Sequence, residues 1–224
     1  MEVAVPFFKR SATYLSGIVI LALGTVLFTC CQLGTSALVA VPFITAKITG
    51  ISLGAATSLV FACFVVVQLL LTKKWDLKIL LQLPFSLVFG AVVDFYNVFL
   101  GLENWRPDSL IVRVLLLFLA ICGTSSGAFL MVRGNFIMNA PDGIVALLSQ
   151  RQGQSFGQMK LRFDLVMILI ASTLGLVFLG KISGIGIGTI VSALTVGRGI
   201  RLLEQRFSEP CREVLPVEKA SPKR

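Results

Sequence analysis

The sequence predicts an all-α polytopic membrane protein with about six transmembrane helices in two three-helix repeats of inverted topology, each with a short non-spanning segment. Hydrophobic residues make up 56% of the chain and charged residues only 14%, whereas soluble domains carry about 25% charged residues. Six apolar stretches approach the roughly 20 residues that cross a bilayer, and none shows strand-like alternation. Similar motifs recur in the same order in both halves of the chain.

The predicted spans form one membrane domain, 13–205, between a cytoplasmic N-terminus, 1–12, and a tail, 206–224. The tail combines prolines with mixed charges, a composition typical of a disordered cytoplasmic end. Repeat one covers about 13–101 and repeat two about 110–205. The predicted spans are 13–31, 54–71, 79–101, 110–132, 157–179 and the glycine-rich 184–203.

The basic residues are distributed unequally between the predicted sides of the membrane. With the N-terminus inside and Arg162 left aside, fifteen lysines and arginines fall on the cytoplasmic side and four on the other. This bias follows the positive-inside rule and places both termini in the cytoplasm. The net charge of +9 is therefore a topology signal, with anionic lipid headgroups as partners and no nucleic acid. The four outer cations are Lys47, Arg106, Arg113 and Lys181.

The pattern G-x-S-x-G, which marks the nucleophile of many hydrolases, occurs at residues 50–54 and again at 153–157. A serine nucleophile needs a histidine or comparable base to take its proton, and the chain has no histidine. Each motif also opens a long apolar segment, whereas the hydrolase motif joins a strand to a helix in a soluble sheet. These observations argue against a serine hydrolase.

We predict instead that the motif marks a helix boundary that is used twice. Gly50 and Gly153 end the short segments, because glycine is favoured just past a helix. Ser52 and Ser155 then cap the N-termini of the second and fifth spans. The glycines with predicted structural roles are Gly34, Gly50, Gly54, Gly153, Gly157 and Gly188.

An internal repeat relates the two halves. A shift of 103 positions aligns the two G-x-S-x-G motifs, and a shift of 99 aligns Gly24 with Gly123. Segments 35–50 and 135–153 each carry an apolar run with a proline near its start, and both are too short to cross. Each half then crosses three times, so the halves have opposite orientations, as in many secondary transporters. If one of the short segments instead crosses the membrane fully, the two halves have the same orientation and the repeat is parallel.

Several motifs carry a resemblance to a known family. They are "LGTS" at 33–36, "TGISLG" at 49–54, "APDG" at 140–143, "RFD" at 162–164 and "GIGIGTIVSALTVGRGI" at 184–200. With these motifs the chain resembles the YczE/YyaS/YitT family of bacterial integral membrane proteins, whose last helix has a similar glycine-rich start. Arg198 stands where that family has proline. The resemblance implies a multi-pass protein of the bacterial cytoplasmic (inner) membrane and brings no established substrate.

Ionisable residues at membrane depth are the first candidates for a site, because each is costly to bury there. Asp164 and Arg162 enter the fifth span two residues apart and point in different directions, whereas Lys160 and Asp164 are spaced to pair. In one interpretation Asp164 faces a polar cavity and binds substrate or a proton. In the other, Arg162 extends to the cytoplasmic interface and Asp164 bonds a neighbouring helix.

The second short segment supplies two more candidates, Asn139 and Asp142, on either side of Pro141. If this segment folds back into the membrane, Asp142 caps a half-helix whose positive end faces a cavity. The alternative is an ordinary interfacial turn. The matching residues of the first half, Thr35 and Ser36, offer hydroxyl groups. The predicted substrate-binding residues are therefore Asp164, Arg162, Asp142, Asn139, Thr35 and Ser36.

The remaining chemistry of the chain is sparse. Asp94 is expected at the outer interface with Tyr96, and the glycines of 184–188 are expected to serve helix packing, since no P-loop lysine follows. We predict no catalytic residue, metal site or cofactor. The cysteines, which show no metal spacing, are Cys30, Cys31, Cys63, Cys122 and Cys211.

These features favour a small-solute transporter or permease that works by alternating access of the two repeats, with an unknown substrate. The alternative is a non-transporting ligand-binding subunit or a regulatory protein that needs a partner membrane protein. A membrane enzyme is disfavoured because histidine is absent and carboxylates are few. The expected partners are the lipid bilayer, a small solute, and either a second copy or another membrane protein.

Overall fold

A computed structural model describes residues 7–73, 75–134 and 136–207. Most of the predicted tail, 208–224, lies outside the described residues, as does Cys211. The described residues form nine α-helices and no strand, which confirms the all-α class. The helices are α1 Phe7–Cys30, α2 Ala40–Thr49, α3 Leu53–Thr72, α4 Leu77–Leu80, α5 Gln82–Asp94, α6 Leu110–Gly134, α7 Ala140–Gln152, α8 Phe156–Leu179 and α9 Ile187–Phe207.

Five helices in the described part of the chain are long and apolar enough to cross a membrane. They are α1, α3, the combined helix Leu77–Phe99, α6 and α8. The predicted sixth span is a helix, α9, but it does not meet this standard, because arginines and a glutamate occupy its C-terminal part. The structure therefore does not confirm a count of six. The charged residues are Arg198, Arg201, Glu204 and Arg206.

Large apolar side chains are exposed along the outer faces of the spanning helices. On α8 they recur one or two turns apart, at Leu165, Leu169 and Leu176, each more than half exposed. α3 exposes Leu59 and Leu70 in the same way. Soluble monomers rarely expose apolar surface of this extent. The protein is therefore a multi-pass membrane protein whose outer surface suits lipid.

α1 and α6 pack closely as an antiparallel pair along most of their length. Glycines make the approach possible: a methyl group on Gly24 would lie 2.6 Å from the backbone nitrogen of Thr124, and one on Gly17 would lie 2.8 Å from that of Met131. Small residues at helix contacts let backbones approach closely in membranes. This pair joins the first helix of the chain to the first span of its second half.

The two short helices, α2 and α7, end where the repeated motif predicts, and the next helix begins a few residues later in each case. Gly50 and Gly153 follow them with φ of 74° and 61°, the left-handed conformation that favours glycine. The Ser52 hydroxyl then accepts a hydrogen bond from the N–H of Ala55 at the start of α3. The Ser155 hydroxyl likewise accepts one from the N–H of Gln158 at the start of α8. The boundary interpretation of G-x-S-x-G is confirmed at both places.

The short helices bridge the two halves of the chain. α2 packs against α3 of its own half and against α8, while α7 packs against α8 of its own half and against α3. Between α2 and α8, Ile44 is buried against Ala171. Between α7 and α3, the Arg151 side chain at the end of α7 donates to the carbonyl of Leu71 at the end of α3. Each short helix therefore holds a spanning helix of the other half.

The start of α3 is bound by the end of α5. A methyl group on Gly54 would overlap the carbonyl oxygen of Gly90, so the two backbones are in direct contact. Asp94 is half-buried here and accepts hydrogen bonds from the Ser52 hydroxyl, at 2.6 Å, and from the N–H of Gly54, at 2.7 Å. It thereby satisfies the positive end of a helix, a role that sequence reasoning did not assign to it.

Candidate functional site

Lys160 of α8 contacts two carboxylates, and we name Asp142, Lys160 and Asp164 the charged triad. The Lys160 Nζ atom lies 3.2 Å from Asp142 Oδ1 and 3.2 Å from Asp164 Oδ1. The side chains of Asp142, Lys160 and Asp164 are 27%, 12% and 7% exposed, respectively. One positive and two negative charges therefore share a largely buried space.

Helix geometry explains how these residues meet. Lys160 and Asp164 are one turn apart on α8, the spacing that the sequence predicts for a pair, and the pair is confirmed. Asp142 lies in the first turn of α7, where the helix dipole favours a negative charge. Because α7 packs on α8, its first turn brings this carboxylate to the lysine.

The triad lies deep along a spanning helix. α8 begins at Phe156, and a rise of about 1.5 Å per residue places Asp164 about 12 Å from that end. An isolated charge at membrane depth costs about 2.5–3.5 kcal/mol on insertion scales. Mutual pairing offsets part of this cost, but an apolar residue would avoid it entirely. Charged groups kept at this depth therefore make the triad a candidate functional site.

A small chamber of about 30 Å³ adjoins the triad. Leu21 and Thr124 line it from near the middle of α1 and α6. The segment before α2 contributes Ser36, and the start of α7 contributes Asn139. A space of this size accommodates one or two water molecules or a small ion. The starts of both short helices thus meet in one chamber at mid-depth.

Apart from Asp164 Oδ1, which is ion-paired with Lys160, two polar atoms at this chamber are buried and lack a hydrogen-bond partner among the described residues. They are Asn139 Nδ2 and Thr124 Oγ1. Buried polar groups are usually paired, so these atoms are available to a ligand or to water. Ser192 of α9 also lines the chamber and accepts a hydrogen bond from the N–H of Ala37.

A buried amide pair supports the start of α7. Gln68 Nε2 of α3 donates to Gln82 Oε1 of α5, at 2.8 Å, and to the carbonyl of Ala140, at 3.0 Å. Gln82 Nε2 donates in return to Gln68 Oε1 at 3.2 Å. Gly143 permits this contact, because a methyl group there would lie 2.5 Å from Gln68 Oε1. The pair holds α7 so that Asn139 and Asp142 face the chamber.

On its other side the chamber is closed by hydrogen bonds that we name the seal, between residues 33–37 and 184–192. The Thr35 N–H donates to the carbonyl of Gly184 at 2.7 Å, and the Gly188 N–H donates to the carbonyl of Leu33 at 2.8 Å. Gly34 has a φ of 119°, and a methyl group there would lie 2.5 Å from Thr189 Oγ1, so only glycine fits. The seal joins the loop after α1 to the start of α9.

Beyond the seal a vestibule of about 530 Å³ is lined by residues at the end of the bundle where α1 ends. Its floor includes Thr35 and Gly186, and its wall includes Lys47 of α2 together with Trp105 and Arg106 of the loop before α6. The molecule therefore has a wide space at one face, a hydrogen-bonded seal beneath it, and a charged chamber beneath the seal.

Most of the predicted site residues converge. Asp142, Asp164, Asn139 and Ser36 line the chamber, and Thr35 forms the seal. Arg162 does not join them: it is exposed and donates to Gln154 Oε1 at 2.7 Å, because it points about 200° around α8 from Asp164. Sequence reasoning named Lys160 only as a pairing partner of Asp164, and it missed Thr124, Ser192, Gln68 and Gln82.

The predicted cap of α7 is wrong in detail. Asn139 occupies the N-cap position, without a side-chain hydrogen bond, and Asp142 lies three residues further on. Asp142 is not the cap because the helix already begins at Ala140, and its carboxylate contacts Lys160 instead. Of the remaining predicted structural glycines, Gly157 lies beside the Arg201 guanidinium. No three histidine, cysteine, aspartate or glutamate side chains converge as metal ligands among the described residues.

One family model matches nearly all of the helical part of the chain. The model that matches, described as a family of unknown function (DUF6198), extends over residues 8–205. The chain belongs to this family. Comparisons with curated proteins and with solved structures found no match. The match therefore covers α1 to α9 as one unit and leaves the function to be argued from the site.

Proposed function

We propose that the protein is a membrane transporter of a small solute that works by alternating access of two repeats. The observation that carries this proposal is the mid-depth chamber, where the starts of two short helices meet a buried charged triad. Transporter sites characteristically lie near the bilayer midplane at a repeat interface and use the ends of interrupted helices. A purely structural bundle has no need of such a chamber.

An inverted repeat is part of the proposal, with α9 as the sixth span and segments 35–50 and 135–153 as re-entrant. The antiparallel packing of α1 and α6 supports it, because these are the first spans of the two halves. The reciprocal packing of α2 on α8 and of α7 on α3 supports it as well. Six crossings place both termini on one side, which the positive-inside rule predicts is the cytoplasm.

The geometry suggests how access alternates. The seal separates the chamber from the vestibule, while the Gln68–Gln82 pair lies against the start of α7 near the triad. Opening toward the vestibule requires the seal to part, and opening toward the other face requires α7 to move from the amide pair. Rocking of one half of the protein against the other opens either the seal or the contact of α7 with the amide pair. The solute is then exposed to one side of the membrane at a time.

The proposed setting is the cytoplasmic (inner) membrane of a bacterium, with a second copy or another membrane protein as a possible partner. The resemblance to the YczE/YyaS/YitT family belongs to this proposal and rests on the motifs alone. The small size of the chamber favours one other candidate function. This is a ligand-binding or regulatory subunit that holds a small ligand at the triad and transports nothing by itself.

Ligand binding followed by flux separates these functions. The purified protein is first screened by thermal unfolding against small metabolites, ions and pH values, with Asp164→Asn beside it and exposed Arg162→Gln as the matched control. We expect a ligand that raises the unfolding midpoint of the wild type and of Arg162→Gln by the same amount, and that of Asp164→Asn by a clearly different amount. Uptake of this ligand into liposomes holding only this protein then supports transport. Binding without uptake contradicts transport and favours the accessory subunit.

A further inference from the structure

The vestibule carries a charge pattern that the triad does not explain. Lys47 and Arg106 line it, and Lys181 is close enough to act on Lys47 electrostatically. The described residues form two ion pairs, and Lys160 is the cation in both. Lys47, Arg106 and Lys181 therefore have no carboxylate partner among the described residues. Lys47 donates to the Ser183 hydroxyl at 2.7 Å and lies over the Phe43 ring. These contacts fix its position without neutralising its charge.

Lys47 lies close to two other positively charged side chains, which affect its pKa. Partial burial lowers the pKa of this lysine below its usual value, and the charges of Arg106 and Lys181 lower it further. An adjacent carboxylate would act in the opposite direction. Arg106 and Lys181 therefore contribute positive potential at Lys47, and an anion placed among these cations would relieve their mutual repulsion.

The acidic groups of this face do not cancel the cations. Glu103 lines the vestibule, where it accepts a 3.5 Å contact from Asn97. Asp94 is not among the lining residues, and its carboxylate accepts hydrogen bonds from the Ser52 hydroxyl and from the N–H of Gly54 at the start of α3. Asp108 is not among the lining residues. Among the residues that line the vestibule, two unpaired cations, Lys47 and Arg106, thus face one exposed carboxylate, Glu103.

We propose that the vestibule captures a small anionic solute of the carboxylate or phosphate class, with Lys47 and Arg106 as the residues that recognise its charge. This inference rests on the proposed transport function and specifies its substrate class. A guanidinium matches carboxylate and phosphate oxygens in a planar fork, and a lysine supplies a point charge beside it. The volume of about 530 Å³ falls within the range of small-molecule sites. Trp105 supplies an apolar wall for the rest of the solute.

Trp105 also provides the probe. The chain has two tryptophans, and Trp75 is 87% exposed beside Asp76, at the other end of the bundle. A Trp75→Phe variant therefore reports from the vestibule alone. In detergent at constant ionic strength, with each quenching constant divided by its value for free N-acetyltryptophanamide, we expect iodide to quench Trp105 more strongly than caesium. A local potential of one to two kT enriches a monovalent anion by about three- to seven-fold.

Three variants in the Trp75→Phe background test which residues are responsible. Lys47→Gln and Arg106→Gln are each expected to lower the iodide-to-caesium quenching ratio at least two-fold, and the double variant to bring it near one. Lys78→Gln, an exposed lysine at the other end of the bundle, is the control and is expected to leave the ratio unchanged. A normalised iodide-to-caesium ratio near one before any lysine or arginine is changed, or a ratio that Lys78→Gln lowers equally, overturns the proposal.

Competition identifies the class of anion. Inorganic phosphate and acetate are expected to protect Trp105 from iodide more than chloride does at matched ionic strength, and to lose this effect in the double variant. Protection no better than that of chloride overturns the proposal. Protection by short-chain phosphatidylglycerol alone assigns the cations to lipid headgroups and overturns it too. Because binding is measured without flux, its failure is distinct from a failure of uptake in liposomes.

Discussion

Gly24 of α1 lies against Gly123 of α6, where a methyl group on Gly123 would be 3.4 Å from the Cα atom of Gly24. These two glycines are also the positions that the internal repeat aligns at a shift of 99 residues. Residues related by a two-fold axis contact each other only where they lie close to that axis. The contact therefore supports an axis that passes between α1 and α6 and relates the two halves.

The close approach of α1 and α6 makes Gly24 sensitive to substitution. In Gly24→Ala the added methyl group would lie 2.6 Å from the backbone nitrogen of Thr124, so the helices must separate. We expect destabilisation of about 1–3 kcal/mol, the usual cost of overpacking, read as a lower unfolding midpoint in detergent. Gly197→Ala in α9 is the control, because open space surrounds that site. Equal midpoints for the two variants would contradict the close contact.

The charged triad is expected to depend on its lysine. Lys160→Met leaves the Asp142 and Asp164 carboxylates without their shared cation, at a cost of about 3–5 kcal/mol for a broken buried pair. Addition of Asp142→Asn and Asp164→Asn to Lys160→Met should recover much of this loss, because no uncompensated charge remains. Thermal unfolding of the single and triple variants measures both effects. A Lys160→Met protein as stable as exposed Arg162→Gln would show that the triad is not buried.

The two motif serines are expected to differ in their contribution to stability. Ser155→Ala loses only a helix cap, worth about 1 kcal/mol. Ser52→Ala loses the same cap and also the donor to Asp94, so it should cost about 1 kcal/mol more. A double-mutant cycle of Ser52→Ala with Asp94→Asn measures the coupling. Additive free energies of unfolding in that cycle would exclude the hydrogen bond as a source of stability.

Orientation in the membrane can be read from thiol labelling. In a variant without native cysteines, a cysteine at Arg106, beside the vestibule, is expected to react with a membrane-impermeant maleimide in intact cells. A cysteine at Lys78, at the other end of the bundle, should react only after permeabilisation, because the positive-inside rule places it in the cytoplasm. The reverse pattern would invert the predicted topology and place the vestibule at the cytoplasmic face.

The sequence was informative wherever a local rule applied. Apolar length indicated six spans, of which five are helices long and apolar enough to cross a membrane, and capping chemistry placed helix boundaries at Gly50, Ser52, Gly153 and Ser155. The four-residue spacing of Lys160 and Asp164 predicted their contact. Each of these features depends on neighbours within about one helical turn, so a single sequence contains the information required.

Contacts between distant segments were decided by tertiary structure alone. Arg162 is close to Asp164 in sequence but points away from the chamber, and Asp142 reaches Lys160 only because α7 packs on α8. The vestibule likewise combines Lys47 with Arg106 through the packing of α2 beside the loop before α6.

By itself, then, the sequence determined that this is an all-α membrane protein with a repeated helix boundary, because composition, length and capping act locally. The tertiary structure decided which charges share a chamber and which face a vestibule, because these pairings depend on how helices far apart in the chain pack together.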